Sequence, residues 1–468
     1  MTADDMNPVR NKALEVNLDP LFYGSISEIG AGQEVARNFF HAGGASGTIA
    51  KTVSAYDMQF SDAIYGTDGT GRYVTRARLL MMLDKEYGLV IKRVAEVRPH
   101  GSRFFAFADT VAAKKYHSDD ECHGWVGIRF QHNPGAAPSQ VLLHVRMLDA
   151  SNANQQEALG TLGVNLIHAA FVYNHDVEPL LDSLTDNLVW GRIEIDYIHF
   201  DGPGFEGVDN RKMDLRLVSS SLSPVVIFGS GGHGELPADM VHGKHVLILR
   251  GVFRPFTNVH VQMIEAGIKG FTQMLGVDEG EVVCLCEMNI ARHLSEGRDD
   301  VSDLQERVGM ITDLGYNVMV TSHLRYFRIS EYFSKHVRRH IGFIMSVDNL
   351  LTIFDERFYD GMEGGILMGT ARLFTSDTTL WVYPNLTYEG NVITVDSLQI
   401  PDQHKFLYQH LTYTRRIMPL YVPMELLVPF DPYALAAQIQ TDDPRWRELV
   451  PPRIHDRITK LSLDNPHS

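Results

Sequence analysis

Short apolar runs, several of them interrupted by polar residues at alternate positions, recur through the first half of the chain and predict β-strands. In residues 141–148 a histidine and an arginine alternate with apolar side chains, which is typical of a strand with one polar-lined face. Apolar residues at helical spacing predict helices over residues 77–87 and 155–171, and we expect a strand over residues 88–97. The pattern indicates a mixed α+β domain over residues 1–230.

The second half alternates more regularly between strand-like and helix-like segments. Strands are predicted over residues 244–249, 281–287, 316–321 and 341–346, and helices over residues 259–274, 301–314, 329–339 and 348–358. Repeated strand–helix units predict a mainly parallel sheet covered by helices, so the fold class is α/β. A glycine-rich segment at residues 230–234 separates the two halves. We therefore expect an α/β domain over residues 240–420 and a wrapping C-terminal extension, rich in turn-forming prolines, over residues 421–468.

Composition narrows the classes of function. The chain has 468 residues, of which 44% are hydrophobic and 21% charged, and this excludes a disordered or disulfide-stapled protein. With 42 Lys and Arg against 58 Asp and Glu, the net charge is −16, which disfavours nucleic-acid binding because phosphates require a basic surface. A small anionic ligand needs only a few local cations and amides. We therefore expect a small-molecule substrate and no nucleic-acid partner.

The sequence also bears on the compartment. Its three cysteines are few and odd in number, which suits a reducing environment. The first residues lack the basic and apolar regions of a secretory signal, and no run of about 18 apolar residues is available for a membrane span. We expect a cytoplasmic protein with no membrane association, which forms a homo-oligomer.

The most specific chemical motif lies in residues 245–266, where a hydrophobic strand runs into a glycine, a proline-bearing loop and a helix start. The motif resembles the signature of the nicotinamide/nicotinate mononucleotide adenylyltransferases, Gly-x-Phe-x-Pro-x-Thr/His-x-x-His. The resemblance implies that the loop lets the backbone approach a nucleotide and that the helix start binds its triphosphate. The residues that would take these places are Gly251, Phe253, Pro255, Thr257, Asn258 and His260.

A second signature of the same family, Ser-Thr-x-x-Arg, is similar to residues 321–325. By this resemblance Ser322 and Arg325 would contact phosphates, and the reaction would use ATP and Mg²⁺. Thr257, His260 and Arg325 would stabilise the charge of the attacked phosphate. The structural alternative is a plain strand–turn–helix corner, in which Thr257 or Asn258 caps the helix and His260 lies on its surface.

The whole chain also resembles a family of uncharacterised bacterial proteins of this length. The resemblance lies in stretches such as residues 50–58, 120–125 and 155–160. Members of this family are often labelled as such adenylyltransferases or as outer-membrane TonB-dependent receptors. The receptor label conflicts with a sequence that shows no signal segment and no long series of alternating barrel strands.

The first domain holds a second candidate at Cys122 and His123. A thiolate with a nearby base would be a nucleophile, although adjacent residues on a strand point to opposite faces. The base would then come from elsewhere in the fold. The alternative is a polar loop ahead of a buried Trp125.

A third candidate follows the strand at residues 141–148 and opens the next helix, a position where ligands collect in α/β folds. There the two acids Asp149 and Glu157 would hold Mg²⁺. Asn152, Gln155 and Gln156 would bind a polar substrate there. In a separate turn-rich loop, Arg211 would bind an anion or pair with Asp209. The alternative is a helix cap in an amide-rich turn.

These observations support three functional hypotheses. The first is a nucleotide-dependent transferase of the adenylyltransferase type at the strand–turn–helix of residues 250–261. The second is an enzyme of another class with its cleft in the N-terminal domain, using Cys122, His123, Asp149 and Glu157. The third is a non-catalytic, oligomeric ligand-binding protein.

Overall fold

The computed structural model describes residues 7–67, 69, 71–112, 114, 122–290, 301–337, 339–375 and 377–458. The chain forms two compact units, Met1–Ser223 and Pro224–Ser468, both of them α/β, which confirms the predicted fold class. None of the described helices combines the length and the apolar character that crossing a membrane requires.

The N-terminal unit contains one mixed sheet with helices around it. Its strands are β1 (Phe22–Ile29), β2 (Ile49–Ser54), β3 (Arg103–Ala112), β4 (Cys122–Phe130), β5 (Ser139–Met147) and β6 (Ile193–Asp201). Its helices are α1 (Pro8–Asn17), α2 (Gln33–Ala42), α3 (Met58–Tyr65), α4 (Arg76–Val94), α5 (Asn152–Val172), α6 (Val177–Asp182) and α7 (Asn210–Ser219). The strand predicted over residues 88–97 is wrong, because α4 continues through it to Val94.

The strand order in this sheet is β2-β1-β3-β4-β5-β6. Strands β2, β1 and β3 run parallel, whereas β4, β5 and β6 each pair antiparallel with the strand before. The carboxyl ends of β1, β2 and β3 therefore meet at one edge, where α/β sheets commonly bind ligands.

Helices cover both faces of the N-terminal sheet. On one face a Cβ on Gly127 of β4 would lie 3.1 Å from Leu79 of α4. On the other face a Cβ on Gly163 of α5 would meet Val35 of α2 at 2.4 Å and Phe107 of β3 at 3.1 Å. The carboxyl edge of the three parallel strands is thus bordered by α2.

The C-terminal unit contains the strands β7 (Val225–Phe228), β8 (Gly234–Glu235), β9 (His245–Arg250), β10 (Val282–Asn289), β11 (Asn317–Thr321), β12 (Ile341–Ser346), β13 (Thr378–Tyr383), β14 (Asn385–Leu386), β15 (Val392–Ile393) and β16 (Ile417–Pro419). Its described helices are α8 (Pro237–Met240), α9 (Asn258–Leu275), α10 (Ser302–Asp313), α11 (Tyr326–His336), α12 (Val347–Ile353), α13 (Gly365–Leu373), α14 (Lys405–Tyr413), α15 (Pro432–Gln440), α16 (Trp446–Leu449) and α17 (His455–Ile458).

The main sheet of this unit has the order β16-β13-β12-β9-β10-β11-β7-β8. Strands β9 to β13 and β16 run parallel, and β7 and β8 add an antiparallel edge. Since β7 pairs with β11, it belongs to this unit, and the glycine-rich segment at residues 230–234 is the link between β7 and β8 rather than a domain boundary. The strand order reverses at β9, and doubly wound sheets bind ligands at that point.

Candidate functional site

The turn between β9 and α9, which carries the adenylyltransferase-like motif, is packed with aromatic side chains. Phe253, Phe256 and Thr257 are all buried. The rings of Phe253 and Phe256 lie 5.3 Å apart, and each lies 5.1 Å from the ring of His260. A Cβ on Gly251 would lie 2.7 Å from the Phe253 ring, so the glycine makes room for a phenylalanine. These side chains fill the space that a phosphate would need.

The polar groups of this turn bind one another. The Thr257 amide donates to Nδ1 of His260 at 2.9 Å, which closes a capping box at the start of α9. Burial lowers the pKa of His260 to about 4, so its ring is neutral and can accept this hydrogen bond. The side-chain amide of Asn258 donates at 2.9 Å to the backbone carbonyl of Glu448 in the C-terminal extension.

The geometry therefore matches the strand–turn–helix corner, with His260 packed into the corner rather than lying on the helix surface. The resemblance assigns nucleotide contacts to Gly251, Phe253, Pro255, Thr257, Asn258 and His260. In the structure, the side chains of this turn pack against one another, and the Thr257 amide is hydrogen-bonded within the turn. Their role in binding ATP and Mg²⁺ stays a prediction.

The second half of the motif contributes to a neighbouring internal network. Arg250 pairs with the buried Glu287 at 2.7 Å and donates to the Leu324 carbonyl at 2.9 Å. The Thr321 hydroxyl donates to Glu287 at 2.6 Å. Arg325 lines a cavity of about 40 Å³, too small for a triphosphate, and the Ser322 amide donates to a backbone carbonyl. These residues hold the loop after β11 onto the sheet.

Cys122 and His123 do not form a catalytic pair. They are adjacent on β4, where Cys122 is paired in register with Met147 and His123 with Arg146, and they point to opposite faces. Nδ1 of His123 lies 3.0 Å from Nε2 of His144, whose Nδ1 lies 2.6 Å from Asp196. His123 thus interacts with a second histidine rather than with the thiol.

The predicted magnesium ligands Asp149 and Glu157 are held by a cation of the chain itself. Arg192 pairs with Asp149 at 2.8 Å and with Glu157 at 3.3 Å, so its guanidinium stands where a metal ion was expected. Ser151 caps α5 by accepting from the Asn154 amide. In the structure both acids pair with Arg192 beside the helix cap, and their role in holding Mg²⁺ stays a prediction.

The predicted substrate-binding residues have local structural partners or lie on the surface. Gln155 is buried and donates to the Asp149 carbonyl at 2.8 Å, while its oxygen accepts from the Lys114 amide. Asn152 is exposed and Gln156 half-buried on α5, and the Arg211 amide is bonded to Asp209 at the start of α7. Neither the cavity at Arg325 nor the one between β2 and α2 is lined by these side chains.

A different pair of acidic residues meets at the carboxyl edge of the N-terminal sheet. Glu28 of β1 is paired in parallel register with Asp109 of β3, so both carboxyl groups project from the same face. Glu28 is 3% exposed and Asp109 0% exposed. A Cβ on Gly32, the residue that precedes α2, would lie 1.9 Å from Asp109 Oδ2, so only a glycine lets the helix start this close.

The two carboxyl groups are poorly compensated. Oε2 of Glu28 and both carboxylate oxygens of Asp109 lack a hydrogen-bond partner among the described residues. Burial raises the pKa of Glu28 to about 7, against hydrogen bonds from Gly32 and Gln33 that lower it. Burial raises the pKa of Asp109 well above its ordinary value, and the charge of Glu28 adds to the effect. Burial therefore favours the neutral form of Asp109, while Glu28 is divided between its two forms at neutral pH.

Glu28 faces a cavity of about 300 Å³ between the edge strand β2 and helix α2. The Ser54 hydroxyl donates to its Oε1. The other lining residues come from the strands and from one face of α2, and they are Ile26, Gln33, Ala36, Arg37, Phe40, His41, Thr52 and Val53. An apolar wall with a few polar groups and an acid of shifted pKa is the usual make-up of a small-molecule site.

Comparisons with known proteins return partial structural likenesses. A competence/damage-inducible protein from Agrobacterium tumefaciens is 18% identical and covers 36% of this chain and 96% of its own, with a TM-score of 0.27. A competence-damaged protein (CinA) superfamily member from Klebsiella pneumoniae is 9% identical and covers 37% and 99%, also at 0.27. One from Escherichia coli is 14% identical and covers 37% and 92%, at 0.24. No family model and no curated protein matches the chain.

Proposed function

We propose that the protein is an enzyme whose cleft lies in the N-terminal unit, and that Glu28 acts there as a general acid–base on a small polar molecule. One observation carries this proposal: Glu28 is almost fully buried, its Oε2 lacks a partner among the described residues, and it lines a cavity large enough for a ligand. The location agrees with the second hypothesis from the sequence, whereas the residues are different ones.

The surroundings of Glu28 suit proton transfer. With a pKa of about 7, both the carboxylate and the acid are populated at neutral pH, so the same group can remove a proton and return it later. Burial favours the neutral form of Asp109 beside Glu28, and Ser54 orients the carboxyl group of Glu28 through its hydroxyl. General acid–base catalysis of this kind typically contributes about 10²–10⁴-fold to a rate.

The test compares the wild type with Glu28→Gln, which keeps the shape of the side chain and removes its proton chemistry. A mixture of small polar metabolites is incubated with each protein and followed by mass spectrometry. We expect compounds that the wild type converts to be converted at least about 100-fold more slowly by the variant. Glu96→Gln, an exposed acid just after α4 and outside the pocket lining, is the matched control and should retain activity.

A direct titration keeps the proposal falsifiable before a substrate is found. Carbon-detected NMR of labelled Glu side chains should show Glu28 titrating near pH 7. A Glu28 that titrates near its ordinary value of 4.5 would contradict the proposal.

A nucleotidyltransferase at residues 250–261 is a second candidate, favoured by one observation. The turn after β9 lies where the strand order of the parallel sheet reverses, the place at which doubly wound sheets bind nucleotides. ATP and Mg²⁺ would bind there only if the aromatic side chains moved. Thermal denaturation with and without ATP and Mg²⁺ tests this candidate.

A further inference from the structure

The pocket beside Glu28 has groups of opposite charge at its two ends. Glu28 of β1 accepts a hydrogen bond from Gln33, which is the first residue of α2. Arg37 and His41 follow on the same face of this helix and also line the cavity. At a rise of 1.5 Å per residue, they lie about 6 Å and about 12 Å further along the helix axis than Gln33. A ligand lying along α2 would meet an acid first and bases afterwards.

At the basic end, Nδ1 of His41 lies 3.4 Å from a guanidinium nitrogen of Arg10, and Arg37 has a surface ion pair. Arg37 contacts Glu34 at 2.9 Å, but both side chains are partly exposed, and such a surface ion pair contributes little stability. Between Arg37 and His41 on the helix lies Phe40, which is 52% exposed and offers an apolar wall. An anionic group can therefore compete for Arg37 without breaking a strong interaction.

Within the described part of the chain, no cation pairs with Glu28 at the acidic end. The titratable groups there that interact with Glu28 electrostatically are Asp109 of β3 and Tyr65 of α3. Burial also raises the pKa of Tyr65, so it stays neutral, and neither group supplies positive charge. A positively charged nitrogen would satisfy Oε2 of Glu28 and favour its ionised form.

Building on the function proposed above, we propose that this pocket binds a zwitterionic aminocarboxylate, with its ammonium group against Glu28 and its carboxylate against Arg37 and His41. The charged groups of the ligand would be separated by a short chain that packs on Phe40. This assigns the substrate class as ω-amino acids or molecules of dipeptide size.

Isothermal titration of the full chain with glycine, β-alanine, γ-aminobutyrate and ε-aminocaproate measures this separation. We expect affinity to rise with chain length to an optimum among the longer compounds, at least tenfold above the matched alkylamine and alkylcarboxylate. Because the ammonium favours ionised Glu28, binding at pH 6.5 should release a proton, seen as a heat that depends on the ionisation enthalpy of the buffer.

Two variants separate the ends of the ligand. Glu28→Gln should abolish the proton release and weaken alkylamines and aminocarboxylates alike. Arg37→Gln should weaken aminocarboxylates about tenfold and leave alkylamines unchanged. Arg93→Gln, an exposed arginine on α4 outside the pocket lining, is the matched control and should change neither.

The zwitterionic ligand would be ruled out if alkylamines bound as tightly as the aminocarboxylates. It would also be ruled out if Arg37→Gln left the affinity for aminocarboxylates unchanged. If no compound binds while Glu28 still titrates near pH 7, the ligand class is wrong and the acid–base function stands. If Glu28 titrates near 4.5, the function fails as well.

Discussion

The carboxyl edges of the two parallel sheets offer a direct comparison. In the C-terminal unit, the edge at β9, β10 and β11 is closed: Arg250, Glu287 and Thr321 bind one another, and Phe253 and Phe256 fill the adjoining turn. In the N-terminal unit, the corresponding edge carries Glu28 and Asp109, three of whose four carboxyl oxygens lack a hydrogen-bond partner among the described residues, beside a cavity. A position at the carboxyl edge is therefore not enough to define a site.

The difference lies in how the buried polar groups are satisfied. A buried carboxylate that is paired and hydrogen-bonded, such as Glu287, supports the packing around it. A buried acid without such partners, such as Asp109, destabilises the fold unless it is protonated. Proteins retain uncompensated groups mainly where function requires them, and this points to the N-terminal edge.

The largest effect should follow from truncating the packed turn. Phe256→Ala removes a ring that is 0% exposed, and large-to-small changes of this kind typically destabilise by about 3–5 kcal/mol. The loss should appear as faster hydrogen exchange in peptides from β9 and α9. Phe40→Ala, at the rim of the N-terminal pocket, is the control and should stay within about 0.5 kcal/mol. A loss below about 1 kcal/mol for Phe256→Ala would show that the turn is not part of the core.

The second-largest expected effect is a gain in stability, caused by replacing Glu28. Between pH 4.5 and 7, folded Glu28 binds a proton that the unfolded chain has lost, so stability falls as the pH rises through this window. A shift of the pKa from 4.5 to about 7 corresponds to a loss of about 3 kcal/mol above pH 7. Glu28→Gln should therefore stabilise the N-terminal unit by about this amount at pH 8 and by almost nothing at pH 4.

Hydrogen exchange in β1 and β3 peptides, compared between variant and wild type at each pH, measures this gain. Glu96→Gln, an exposed acid just after α4, is the control and should stay within about 0.5 kcal/mol at both values. If the difference in stability between Glu28→Gln and the wild type were the same at pH 4 and pH 8, the contrast between the two edges would disappear.

The smallest effect is expected from nucleotide. Because the turn after β9 is filled, millimolar ATP with Mg²⁺ should shift the melting temperature by less than about 2 °C, equivalent to under about 1 kcal/mol. A larger rise that His260→Ala abolishes would restore the nucleotidyltransferase hypothesis. A rise that persists in His260→Ala would locate the nucleotide elsewhere.

The sequence predicted many elements because their hydrophobic periods are local. The alternation of strands and helices from β9 to β12 followed directly from apolar spacing, as did the fold class. The error at α4 has a physical cause: Val90, Ile91 and Val94 favour strands intrinsically, yet they extend the buried face that begins with Leu79 and Met82. Packing of this face against the sheet made the segment helical rather than extended.

Candidate residues were harder to judge, because a motif records residue types and not what surrounds them. The spacing of Gly251, Thr257 and His260 resembles a phosphate-binding turn, and only the packed aromatic rings revealed a helix corner. Glu28 and Asp109 carried a weak signal that was available in the sequence: each is a lone acid within an apolar strand.

By itself, then, the sequence determined the α/β class, much of the strand–helix order and the negative charge, since these depend on composition and on spacing within one segment. The tertiary structure decided which polar residues meet. Glu28 and Asp109 are far apart in the chain and become neighbours only through the parallel register of β1 and β3. Their raised pKa values arise from the burial that this register and helix α2 impose, and no local pattern contains that information.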